Sequence, residues 1–227
     1  MLKLARAILP ARARRRLLRN FLHERKEFLS QQTKALPSVK LEERHIANLK
    51  MLVNRKALLR LLPQNGVGCE LGVNTGEFSR QILRLANPAK LTLVDPWDTE
   101  RYGEKKFQAV SKRFADDIAA GRVELIRGYS TEAGKGFADG TFDWVYIDTT
   151  HAYELTRDEL RLYAHKVKPG GILAGHDYSK GNVVSGVVYG VIDAVQEFCV
   201  ENDWEFIHLT MEPQTPSFAI RKIGAAA

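Results

Sequence analysis

The chain has little cysteine: two residues in 227, Cys69 and Cys199, each set inside an apolar stretch and outside any metal or redox spacing. That excludes a disulfide framework, a zinc knuckle and a Cys-x-x-Cys redox centre, and it predicts core thiols in a reducing, cytoplasmic compartment. Long apolar runs are also missing. None approaches the roughly 20 residues that span a bilayer, and Arg6 interrupts the short apolar start before a signal-peptide core can form. The Gly-x-Gly-x-x-Gly turn that seats a dinucleotide pyrophosphate at a helix N-terminus is absent as well.

Acidic residues are scarce in one place only. Met1 to Lys26 holds nine basic side chains (Lys3, Arg6, Arg12, Arg14, Arg15, Arg16, Arg19, Arg25 and Lys26) against Glu24, so this arm is +8 while the whole chain is +7. The rest is near neutral, which argues against a basic groove in the body and confines any electrostatic partner to the arm. Leu2, Leu4, Ile8, Leu9, Leu17, Leu18, Phe21 and Leu22 lie among these arginines, a pattern for an amphipathic helix interrupted near Pro10. Such an arm suits a homo-oligomer contact through the N-terminal helices, an anionic membrane surface or RNA; it is also acid-poor in the manner of transit peptides.

An apolar content of 44% with 9% aromatics supports one sizeable core. We expect residues 1–40 to form the arm and 41–224 a single α/β domain. After Pro37, Ile46, Leu49, Val53, Leu58 and Leu62 recur near helical spacing and predict a helix over Leu41 to Leu62, ended by Pro63 and Gly66. Strands are expected at Gly68 to Leu71, Lys90 to Val94, Val123 to Arg127, Phe142 to Ile147 and Gly171 to Gly175. Helices are expected around Gly76 to Leu85, Lys105 to Ala120, Thr131 to Phe137 and Tyr153 to Lys166. Repeated βα units imply a mostly parallel sheet with helices on both faces. Val183 to Val200 is expected to be helical. The last strands, Glu205 to Leu209 and Ser217 to Lys222, are too closely spaced for a parallel crossover, so the final strand must be antiparallel. The expected whole is a Rossmann-like, seven-stranded sheet with an N-terminal helical extension.

Acids recur where these strands end: Glu70, Asp95, Asp148 and Asp177. In open α/β sheets ligands bind beyond the carboxyl ends of the strands. The first turn, Glu70-Leu-Gly72-Val-Asn74-Thr-Gly76, brings an acid and two glycines together; the acid would repel a pyrophosphate but suits a ligand with a cationic amino group. This turn resembles the acid-x-Gly-x-x-x-Gly motif of class I S-adenosylmethionine-dependent methyltransferases. The resemblance continues in Leu91-Thr-Leu-Val-Asp95-Pro-Trp97, in Gly128-Tyr-Ser130-Thr-Glu132, in Phe142-Asp-Trp-Val-Tyr-Ile-Asp148-Thr-Thr-His151 and in Lys168-Pro-Gly-Gly-Ile-Leu-Ala-Gly-His176-Asp177. These later stretches look like the O-methyltransferase branch that includes catechol-type and macrolide-sugar enzymes.

What the resemblance implies is specific. S-adenosylmethionine would be the cofactor, held by Glu70, Gly72, Asn74 and Gly76, with Asp95 on the ribose and with Trp97 and Ser130 on the adenine side. A divalent ion, magnesium or manganese, would sit on Asp148, His176 and Asp177. His151, three residues after Asp148, occupies the position of the catechol-type general base, and an imidazole with an ordinary pKa of roughly 6.5 would be largely neutral there. Asp148 is the other catalytic candidate, and Tyr153 and Asp158 either orient a substrate loop or pack and cap the following helix. The implied acceptor is a hydroxyl of a small molecule: a sugar, a glycosylated natural product or a phenol. An RNA ribose hydroxyl and a catalytically silent cofactor-binding scaffold are the alternatives, because Asp148-Thr-Thr-His151 lacks the Asp/Asn-Pro-Pro-aromatic turn used on base amino groups and neither cysteine lies where pyrimidine methylation needs its nucleophile.

Overall fold

The computed structural model describes residues 10–100, 103–182 and 186–225. The expectations for Leu2 to Leu9 and for Val183 and Val184 fall outside them. The first element is helix α1 (Ala11–Ala35), which starts directly after Pro10. Proline's fixed φ and missing N–H suit a helix start, so Pro10 opens this helix.

The body is an eight-stranded sheet. Its strands are β1 (Lys50–Leu52), β2 (Val67–Leu71), β3 (Lys90–Asp95), β4 (Val123–Arg127), β5 (Phe142–Ile147), β6 (Val167–Gly175), β9 (Trp204–Thr210) and β10 (Phe218–Lys222). They lie side by side in the order β1-β9-β10-β6-β5-β2-β3-β4. All run parallel except β10, which is antiparallel to both β6 and β9. Between them come α2 (Arg55–Leu59), α3 (Glu77–Leu85), α4 (Glu104–Arg113), α5 (Ala115–Ala119), α6 (Ser130–Gly136), α7 (Tyr153–Lys166) and α8 (Val191–Asn202), with a short hairpin of β7 (Gly181–Asn182) and β8 (Val187–Val188) before α8.

Alternation along the central strands builds two cores. Cys69 and Leu71 of β2 and Val145 and Ile147 of β5 join Leu160, Tyr163, Val195 and Phe198 on one face. Trp144 and Tyr146 of β5 join Leu58, Ile82, Trp97 and Phe114 on the other. Glu70, between Cys69 and Leu71, therefore points away from the first core, toward the second.

Three expectations need correction. The sheet has eight strands rather than seven, and the extra one comes from the segment expected to be a helix. In place of a helix over Leu41 to Leu62 the chain forms a 3-10 turn at Glu43–His45, strand β1 and the short α2. The periodicity misled because Ile46 and Val53 are 44% and 78% exposed, while the free edge of β9 demands a hydrogen-bonding partner that Lys50–Leu52 supplies. Asn54 then starts α2, its side chain accepting from the Ala57 N–H at 3.1 Å. The helix expected from Val183 starts only at Val191: Gly181, Gly186 and the Val187-Val188 pair make the hairpin first, as their positive φ angles and β-branching favour. The helix expected over Lys105 to Ala120 is broken in two at Phe114.

Candidate functional site

The carboxyl ends of β2, β3, β5 and β6 meet in one crevice. Backbone hydrogen bonds tie them in register: the Gly72 N–H donates to Val94 O at 2.9 Å, Asp148 N–H to Leu71 O at 2.8 Å and His176 N–H to Ile147 O at 3.0 Å. Gly72 has φ +88°, and a Cβ there would stand 2.0 Å from the Asp148 carbonyl oxygen. Only glycine lets these two strand ends approach so closely.

Asp95, 8% exposed, organises the turn. Its Oδ2 accepts the N–H groups of Val73 and Asn74, each at 2.9 Å, and its Oδ1 accepts the Trp97 N–H at 2.9 Å. Asn74 adopts a left-handed backbone at φ 53°, and its side-chain oxygen accepts from Lys106 Nζ at 2.5 Å. Trp97 is fully buried. Its indole N–H donates to the Asn74 carbonyl at 3.0 Å and its ring packs 5.2 Å from Phe107, so it braces the glycine turn from within the core. Gly76 ends the turn at φ +73° and begins α3.

Glu70 is fully buried; the buried Ser79 hydroxyl lies beside it and offsets part of the burial, but neither carboxylate oxygen makes a hydrogen bond of good geometry among the described residues. Burial pushes its pKa up to about 8. A buried acid without a donor is costly unless a cation or donor completes it. Arg55, at the start of α2, reaches over the same region: its guanidinium lies 4.4 Å from the Phe78 ring centroid and 4.0 Å from Asp148 Oδ2.

Four titratable side chains converge beyond β5 and β6. His151 Nε2 is 3.2 Å from Asp148 Oδ1 and 2.8 Å from Asp177 Oδ2. His176 Nδ1 is 3.4 Å from Asp177 Oδ2 and 3.7 Å from Asp148 Oδ2. Ligand atoms of Asp148, His151 and Asp177 all lie within 4.8 Å of one another, and Asp177 Oδ1 is buried without a partner among the described residues. Two carboxylates and an imidazole within such a span match the donor set of a divalent cation. His151 and Asp177 both have left-handed backbones, φ 64° and 53°, a local strain that the surrounding packing holds in place.

The charge on His151 differs from expectation. Burial alone would lower its pKa, but its bonds to Asp148 and Asp177 outweigh this and raise it to about 9. Between two free carboxylates the imidazole is a cation at neutral pH, not the neutral base expected from its ordinary value. Burial would likewise raise Asp177, yet its bonds from His151 and His176 hold it well below the usual carboxylate range.

Ser130 begins α6 beside β4. It is buried, and its hydroxyl donates to Glu159 Oε1 at 2.5 Å. The other oxygen of Glu159 accepts from Thr149 Oγ1 at 2.9 Å. Glu159, whose pKa burial lifts to about 7, thus joins the turn after β4 to the turn after Asp148. Neither Arg55 nor Glu159 stands out in the sequence: one is an ordinary first-turn residue, the other an acid in a helix. Tyr189, whose ring lies 4.8 Å from that of His151, follows the hairpin and was equally unmarked. Tyr153 and Asp158 serve packing and pairing, through Glu197 at 2.5 Å and Arg157 at 2.7 Å. A separate cavity of about 770 Å³ opens at the start of β6 among Arg161, Lys168, Trp204 and Lys222, but its cations are engaged by Glu201, Asp143 and the Asn202 carbonyl.

Comparison with known proteins is consistent with this geometry. Residues 69–178, which span the crevice from β2 to the end of β6, match a family model described as a methyltransferase domain. Similar solved structures include a candidate rRNA methylase from Clostridium thermocellum, 17% identical with a TM-score of 0.58 over 77% of this chain and 99% of that one. A candidate methyltransferase from Streptococcus mutans in complex with S-adenosylhomocysteine is 16% identical, with a TM-score of 0.51 over 72% and 90%. The methyltransferase CalH, also in complex with S-adenosylhomocysteine, is 17% identical, with a TM-score of 0.53 over 74% and 55%. The chain spans about half the length of some structures it resembles, 43% of a candidate sarcosine dimethylglycine methyltransferase from Galdieria sulphuraria and 53% of the pyocyanin biosynthetic protein PhzM. No curated protein matches the chain.

Proposed function

We propose that this chain is a class I S-adenosylmethionine-dependent methyltransferase acting on a hydroxyl group of a small molecule, with a divalent cation beside the acceptor; the match of residues 69–178 to a methyltransferase-domain model supports the first part of this reading. The observation that carries this reading is the convergence of Asp148, His151, His176 and Asp177 at the mouth of the crevice, next to the Gly72 to Gly76 turn.

When bound, S-adenosylmethionine supplies an electrophilic methyl group on its sulfonium. Glu70, whose oxygens make no hydrogen bond of good geometry among the described residues, would hold the cationic amino group. The Gly72 to Gly76 turn lets the backbone pass close beneath the ligand, and Asp95 offers its remaining acceptor capacity to the ribose hydroxyls. Asn74 and Ser130 shape the two ends of that seat, and Trp97 supports it from behind. Asp148 and Asp177 would hold magnesium or manganese, with His151, which completes the tightest group of donors, or His176, expected from the sequence and 3.4 and 3.7 Å from the two acids, as the imidazole ligand; the ion's charge would stabilise an acceptor oxyanion. His151 would take the acceptor's hydroxyl proton at Nε2 only in its neutral form; as the cation it is between two free carboxylates, it would leave that role to Asp148 Oδ1, 3.2 Å away. The protein's main contribution is alignment, since an in-line displacement needs nucleophile, methyl carbon and sulfur on one axis.

The test is turnover of S-adenosylmethionine with sugar and phenol acceptors. A chelator should suppress turnover and spare cofactor binding, manganese or magnesium should restore it, and Asp177→Ala should mimic chelation. Full activity in chelator would leave a metal-free mechanism resting on Asp148 and His151. Methyl transfer to RNA with none to small hydroxyl acceptors would overturn the acceptor assignment.

A further inference from the structure

Helix α1 is 25 residues long and holds eight cations against two acids, Glu24 and Glu27. Leu17, Leu18, Phe21, Leu22 and Phe28 are each between 51% and 57% exposed. At 3.6 residues per turn these five fall within one arc of roughly 140°, which Arg14 and Arg25 share, and Arg15, Arg19 and Lys26 line its flank. Large apolar side chains left half in water along a single stripe mark a surface that something covers.

The charge says what covers it. Arg12, Arg14, Arg15 and Arg16 crowd the start of the helix, where no acid and no side-chain cap answers the free N–H groups. Positive side chains at the positive end of the helix dipole are unfavourable, and anionic groups there are favourable. A second copy of this helix would bring the same cations against each other. RNA phosphates would satisfy the arginines but leave the leucines and phenylalanines in water. A surface of anionic lipid answers both, with headgroups for the arginines and the acyl boundary for the apolar stripe. No helix among the described residues is long and apolar enough to cross a membrane, so the helix would lie along the surface. We propose that α1 is a docking element that lays the protein on an anionic lipid bilayer.

The helix also meets the domain near the crevice. Arg25 packs where Gly186, in the β7–β8 hairpin, leaves room, since a Cβ there would stand 2.0 Å from the Arg25 guanidinium. Tyr189, directly after that hairpin, faces His151. A docked α1 would therefore hold the acceptor side of the crevice near the lipid surface.

Flotation of the full chain with vesicles tests this. Vesicles containing phosphatidylserine should carry the protein, vesicles of phosphatidylcholine alone should not, and added salt should weaken the binding. Each cation reversed among Arg15, Arg16 and Arg19 should lower partitioning by at least about fivefold, the contribution of one basic residue near such a surface. Phe21→Asp with Phe28→Asp should abolish flotation and leave the melting temperature unchanged, because both positions are exposed. Three results would overturn the proposal: no flotation with phosphatidylserine; flotation that persists in the double phenylalanine variant; or a concentration-dependent dimer, dissolved by that variant, in protein that ignores vesicles. RNA binding indifferent to the phenylalanines, without vesicle binding, would likewise assign the arm to nucleic acid.

Discussion

Three side chains in the crevice hold a proton more tightly in the folded protein than in the unfolded chain. Glu70 is lifted from an ordinary 4.5 to about 8 by burial and Glu159 from 4.5 to about 7 by burial, while His151 rises from 6.5 to about 9 because two carboxylates outweigh its burial. The sign follows from linkage: stability falls with pH wherever the folded state binds more protons. The two glutamates contribute most below pH 4.5 and lose that contribution as pH rises through about 7 and about 8. His151 contributes fully below 6.5 and loses its share through about 9. Asp177, held below its ordinary 3.8, acts oppositely and loses its contribution in acid. The ligand-free protein should therefore melt at progressively lower temperature from pH 5 to pH 9. Glu70→Gln should flatten the slope below pH 8, and S-adenosylhomocysteine, whose ammonium would compensate Glu70 in the proposed seat, should do the same. A melting temperature that climbs toward pH 8 without ligand would contradict this account of the buried acids.

At the scale of elements, β1 is the smallest strand of the main sheet and one of the most consequential. It covers the edge of β9, pairing Lys50, Met51 and Leu52 with His208, Leu209 and Thr210, and the Met211 N–H donates to Leu52 O at 2.9 Å. The segment before it adds the Asn48 bond to buried Glu205 at 2.7 Å. A chain beginning at Asn54 should be less stable than one beginning at Leu41 by roughly 2–4 kcal/mol, the sum of a few such bonds, and should aggregate through the bared β9 edge. Denaturant titration and light scattering check the two effects, and equal stability of both chains would show that β1 merely decorates the sheet. This element was illegible in the sequence because Lys-Met-Leu has no buried face to print an alternation; its cause lies in β9, more than 150 residues onward. The strands β4 and β5 were legible to the residue: β5 is buried on both faces and writes a nearly continuous apolar run, and β4, a half-exposed edge strand, is bracketed by Gly121 and Gly128. The strand-end residues of the site were readable for the same reason. The charge of His151 was not, because Asp177 reaches it only through the neighbouring strand, and Glu159 gained its bridging place from a helix packing that no spacing announces.

Over the whole molecule, charge and chemistry are kept apart. The arm to Lys26 bears +8 while the chain totals +7, and α1 touches the domain at the β7–β8 hairpin, through Arg25 and Gly186. The proposed cofactor seat is built from β2, β3 and the turns that follow them, where Asp95 bonds the Val73, Asn74 and Trp97 amides; each of these residues lies beyond Leu41 in the chain. Nothing in that seat draws on the helix, and separate sites contribute additively when they share no partner. A chain beginning at Leu41 should accordingly bind S-adenosylmethionine within about twofold of the full-length affinity while losing attachment to phosphatidylserine vesicles. Calorimetry and flotation on the same two preparations separate the functions. If the shorter chain is folded by circular dichroism yet binds the cofactor more than about tenfold more weakly, a loss of roughly 1.4 kcal/mol, then α1 closes over the crevice and the two functions are coupled rather than carried on separate parts of the chain.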